Sequence, residues 1–68
     1  MTAEGAVERA KGAAAALSAS LARVGCAFPT VDAYPEPVGP GGEAMVRIGL
    51  VPAATATKLA RFIDEHAP

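Results

Sequence analysis

Cys26 and His66 are the side chains best suited to nucleophilic or acid–base chemistry, and each is the only residue of its type. A reactive thiolate is favoured at a helix N-terminus or beside a cation. Cys26 instead follows a helical segment that stops at Gly25, so it meets a helix C-terminus, which does not activate a thiol. The expected role is a small buried hydrophobe. As a general base, His66 would need an orienting partner and a nucleophile within reach. It lies in the last turn of a helical segment, where fraying is usual, so an exposed, non-catalytic histidine is expected.

The other candidates reduce in the same way. Gly39-Pro40-Gly41-Gly42 is glycine-rich, but a phosphate cradle needs a lysine after its last glycine and a strand-to-helix setting. Here no lysine follows, and the segment joins two expected strands. Asp64 and Glu65 form an acid pair on a terminal turn, and carboxylates that do acid–base work need burial. Ser18, Ser20, Thr55 and Thr57 lack a matching His/Asp arrangement and read as helix-surface hydroxyls or local caps. Cys26, His66 and scattered carboxylates show no metal-ligand spacing, so no metal and no cofactor are expected. The chemistry points away from an enzyme.

Six basic and seven acidic residues give a formal charge of −1, which provides no bulk attraction to nucleic acid or anionic membrane. Arg47, Lys58 and Arg61 could form a small basic patch, but exposed aromatics for base stacking are not interleaved with them. Nucleic-acid binding is therefore the second reading rather than the first. No run is apolar enough to span a membrane, and the alanine-rich N-terminal stretch, with Glu4 and Glu8, lacks the core of a secretory signal. The expected location is cytoplasmic, which a lone cysteine suits.

The elements that would position these groups are a helix, two strands and a second helix. Ala3, Ala6, Val7, Ala10, Ala13, Ala14, Leu17, Leu21 and Val24 share a helical face roughly 120° wide at 100° per residue. The spacing predicts a helix over 3–24, lying flat on a sheet because alanines permit close approach. Gly25 ends it as a residue that tolerates positive φ. Thr30 to Tyr34 reads as a short strand whose start is set by Pro29. Residues 35–43 hold three prolines and three glycines and form a loop.

The clearest strand runs over 44–51. Ala44, Val46, Ile48 and Leu50 point one way, toward the first helix. Met45, Arg47, Gly49 and Val51 point the other way. A second helix over 52–66 opens at Pro52, with Ala56, Leu59, Ala60 and Ile63 at helical spacing and Arg61 and Glu65 placed to pair.

The fold class expected is α+β: helix–strand–strand–helix, an antiparallel two-stranded hairpin with both helices on one face. The 68 residues make a single small domain. Such a domain usually needs a disulfide, a metal or oligomerisation to be stable. One cysteine excludes an intrachain disulfide, so oligomerisation is the staple expected. The expected form is a homodimer whose edge strands pair into a four-stranded sheet.

The stretches Ser20-Leu21-Ala22-Arg23-Val24-Gly25-Cys26-Ala27-Phe28-Pro29-Thr30-Val31 and Val46-Arg47-Ile48-Gly49-Leu50-Val51-Pro52, followed by Ala56-Thr57-Lys58-Leu59-Ala60-Arg61-Phe62-Ile63, resemble short, functionally unassigned proteins of high-GC actinobacteria. The resemblance implies a source and a compact α+β shape, and no site residues. From the residues themselves the expected function is non-enzymatic: protein–protein interaction or assembly, with a second copy or another protein. The expected interface is the half-apolar outer face at Met45, Arg47, Gly49 and Val51.

Overall fold

An alanine-rich amphipathic run forms helix α1, Ala3–Arg23, in a computed structural model that describes residues 3–67. Met1, Thr2 and Pro68, which the expected domain includes, lie outside the described residues, as do the side chains of Ala3 and Glu4. Alanine has the highest helix propensity, which offsets Gly12 on the exposed side. Lys11 Nζ meets Glu8 Oε1 at 3.2 Å, an i,i+3 pair along the helix.

Gly25 ends α1 with a φ of 75°, where a side chain would be strained. Its N–H donates to Ala22 O at 3.1 Å, and Cys26 N–H donates to Leu21 O at 2.9 Å. These two bonds make a Schellman motif, which satisfies carbonyls the last turn would leave open. The residues that such a motif packs together, Leu21 and Cys26, are both buried.

Strands β1, Val31–Ala33, and β2, Val46–Ile48, pair antiparallel with Val31 opposite Ile48, Asp32 opposite Arg47 and Ala33 opposite Val46. Single bonds continue the ladder at each end: Tyr34 N–H to Met45 O at 2.9 Å and Gly49 N–H to Thr30 O at 3.1 Å. The second strand is therefore shorter than the 44–51 that its alternation suggests. A strand extends only as far as its partner, and β1 is bracketed by Pro29 and Pro35. The loop between the strands folds back on itself. Gly39 N–H donates to Glu43 O and Gly42 N–H to Gly39 O, while Gly41 and Gly42 adopt φ values of 72° and 78°.

The architecture is α+β with a helix, an antiparallel hairpin and a second helix, as the pattern predicts. The core is thin. Among the described residues, its buried apolar side chains are Ala6, Ala10, Ala14, Leu21 and Cys26. The three alanines recur every four residues on α1, the helix that lies against the strands, chiefly β1.

Helix α2, Ala53–His66, is placed differently from expectation. Pro52 caps it from outside instead of occupying its first turn, and Ala56 N–H donates to Pro52 O at 3.1 Å. No described residue of α2 is buried. No α-carbon of α2 comes within 8 Å of one in α1 or in either strand. The helix therefore does not share the sheet face with α1; it stands off beside the C-terminal half of α1, with a groove between them. Lys58 Nζ donates to Gly25 O at 3.2 Å across this gap. The radius of gyration is 13.6 Å, against about 11 Å for a compact chain of this length.

Candidate interaction surface

Alternation along the hairpin sorts its side chains onto two faces. Thr30, Asp32 and Tyr34 share the outer face with Met45, Arg47 and Gly49. Val31, Ala33, Val46 and Ile48 share the face toward α1. The outer face is organised around one ion pair. Arg47 Nε donates to Asp32 Oδ1 at 3.0 Å and Nη2 to Asp32 Oδ2 at 2.8 Å, a bidentate fork. Both side chains stay about half exposed. The two hydrogen bonds, aided by charge attraction and opposed by partial desolvation, hold the Asp32 carboxyl below its ordinary value and push Arg47 up.

This pairing gives the hairpin a pH dependence of known sign. A carboxyl with a lowered folded pKa contributes stability that is full above its unfolded value of about 3.9. The contribution is lost as pH falls through the folded value. Urea unfolding of the wild type and of Asp32→Asn should show a small gap that is constant from about pH 7 to 5. The gap should close below about pH 4, and it should shrink with added salt. A gap independent of pH would show that the pair does not couple to folding.

The remaining outer-face positions are partly covered from within the chain. A Cβ added at Gly39 would lie 2.7 Å from Met45 Sδ, so the methionine reaches back onto the loop. A Cβ added at Gly49 would lie 2.9 Å from Thr30 Cβ, so this glycine is shielded by Thr30. Val51 is half-buried, and Met45 and Tyr34 are just over a third exposed.

The larger apolar exposure lies on residues that alternation assigns to the inside. Leu50 is 96% exposed and Ile48 51% exposed. The first helix covers β1 and leaves the far side of β2 bare, which corrects the expectation that Ala44, Val46, Ile48 and Leu50 all face α1. A second open region is an apolar groove of about 350 Å³ between α1 and α2, walled by Leu17, Leu21 and Val24 on one side and Leu59, Phe62 and Ile63 on the other. Ile63 is 54% exposed.

The candidate chemical groups are not brought together. Cys26 is fully buried, its thiol directed at Val24 O at 3.7 Å. His66 stacks on Phe62, with ring centroids 4.2 Å apart, and its Nδ1 donates to Phe62 O at 2.8 Å. Asp64 and Glu65 are exposed, and Arg61 and Glu65 form no ion pair among the described residues. No three His, Cys, Asp or Glu among the described residues gather into a set that could hold a metal ion. Of the basic trio, Arg47 is taken by Asp32 and Lys58 by Gly25 O. No described helix is long and apolar enough to cross a membrane.

Sequence reasoning missed Asp32 as the partner of Arg47, fifteen positions away. It also missed Leu50 and Ile48 as surface residues. The strand alternation contained the Asp32 signal, but only together with the register. No protein-family model, curated protein or solved structure matches the chain.

Proposed function

We propose that this chain is a non-enzymatic assembly module that works through protein–protein contact, first of all with a second copy of itself. One observation carries the reading. A monomeric protein of 6.8 kDa ordinarily exposes about 4,000 Å². This chain exposes 4786 Å², an excess of about 800 Å², which leaves surface for a partner to cover. Two of the exposed large apolar side chains, Ile48 and Leu50, lie two residues apart on the same side of the hairpin.

The thin core supports the same reading. A small domain without a disulfide or metal staple gains most from association. A cytoplasmic location suits a buried, unpaired thiol. The rival reading, a small nucleic-acid-binding regulator using Arg47, Lys58 and Arg61, has less support, because two of its three cations are engaged inside the chain. It would require retention on nucleic acid that weakens steeply with salt.

Absolute mass by light scattering, across a tenfold dilution series near physiological salt, tests the proposal. The expected result is twice the chain mass at high concentration, falling on dilution. A chain mass that stays single throughout would remove self-assembly and leave a different protein as the only partner compatible with this surface.

A further inference from the structure

Both edges of the two-stranded sheet are open, and they are not equivalent. Within the hairpin, Tyr34 N–H bonds to Met45 O and Gly49 N–H to Thr30 O, and the register sets Asp32 opposite Arg47 between them. Backbone groups at odd positions of β1 and even positions of β2 therefore point outward. On β1 the outward positions are Pro29, Val31, Ala33 and Pro35, and the two prolines have no N–H to offer. On β2 they are Val46 and Ile48, and the same parity continues to the flanking Ala44 and Leu50, each with a donor and an acceptor. The β1 edge is protected and the β2 edge is not.

We infer that two copies join along β2, antiparallel about a two-fold axis at Ile48, making one sheet in the order β1–β2–β2–β1. This rests on the self-association reading and specifies its interface. The register sets Ile48 opposite Ile48 and Val46 opposite Leu50 of the second copy on the face toward α1. On the outer face it sets Arg47 opposite Gly49 and Met45 opposite Val51. Every apolar side chain meets an apolar one, and each arginine meets a residue with no side chain.

The neighbouring register, with its axis at Arg47, sets two guanidinium groups directly opposite each other, which is unfavourable. The residues most exposed along this edge, Leu50 and Ile48, are the ones the chosen register covers. Neither helix is packed on this edge: α1 lies mainly over β1, and no α-carbon of α2 lies within 8 Å of either strand. The four residues Met45, Arg47, Gly49 and Val51 then form cross-strand pairs in the joined sheet.

Two variants test the register. Ile48→Lys puts two ammonium groups face to face at the axis, and since Ile48 is half exposed in the single chain, folding should survive. The dimer mass should fall to that of one chain, with helical circular dichroism retained. Ile48→Cys should cross-link to a disulfide dimer on addition of a mild oxidant, because residues on the axis face their own copies. Arg47→Cys and Leu50→Cys, each off the axis, should cross-link much less. Cys26 is fully buried and should not compete.

If the wild type is a dimer but Ile48→Lys stays dimeric and Ile48→Cys does not cross-link, the register is wrong while self-association stands. Preferential cross-linking of Arg47→Cys would move the axis to Arg47 and overturn the inference. A wild type that is monomeric throughout overturns both. If Ile48→Lys does not fold, the cross-linking series decides by itself.

Discussion

Leu21→Ala should leave the chain largely unfolded at low concentration. Among the described residues, Leu21 is the largest fully apolar side chain that is buried; the others are three alanines and a cysteine. Truncating a buried leucine costs about 2–5 kcal/mol. A domain of this length has a total stability of roughly 3–10 kcal/mol, so one truncation can consume it. The site also has little means of collapse, because Leu21 lies under the Schellman turn that ends α1 and its carbonyl accepts the Cys26 N–H. Circular dichroism with urea titration checks the result. The loss should be partly recovered as concentration rises, because association stabilises the folded form by mass action. A cost under about 1 kcal/mol would show that Leu21 is not the keystone of the core.

The helices are legible in the sequence because their signals are local. Period-3.6 alanines, the Gly25 stop and Pro52 each act within a few residues of where they stand. The β hairpin is legible in kind but not in extent. Alternation marks 44–51 as strand material, yet pairing ends where Pro29 and Pro35 bracket the partner. The Asp32–Arg47 fork depends on register, which the loop over 35–43 sets through its own turns at Gly39 and Gly42. No pattern within either strand contains that.

The exposed side of β2 is hidden from the sequence for a related reason. Leu50 has the same parity as Val46, and only the lateral position of α1 decides that one is half-covered and the other bare. The amphipathic face of α2 is likewise plain from Leu59, Phe62 and Ile63. Whether anything covers it is a tertiary fact.

Ala10→Leu, a change that adds apolar volume to an apolar core, should nevertheless destabilise. Ala6, Ala10 and Ala14 are each at least 96% buried, on the stripe of α1 that meets the strands. Their small size is what lets the helix axis come close. A leucine at the middle of the stripe must displace β1 or tilt the helix, and overpacking of this kind costs about 1–3 kcal/mol. In a domain of this size that lowers the melting temperature by about 4–8 °C per kcal/mol. Ala15→Leu is the control. Ala15 is exposed on the same helix, and leucine is nearly as good a helix former as alanine, so its effect should be close to zero. If Ala10→Leu is instead stabilising, unfilled space lies beneath α1 and the close-packed account is wrong. If it destabilises as expected, the chain cannot strengthen itself by enlarging its core, since the approach of α1 to the sheet already fixes how thick that core can be. Added stability then has to come from surface outside the core, and Ile48 and Leu50 on the open edge of β2 are among the apolar side chains that remain to be buried.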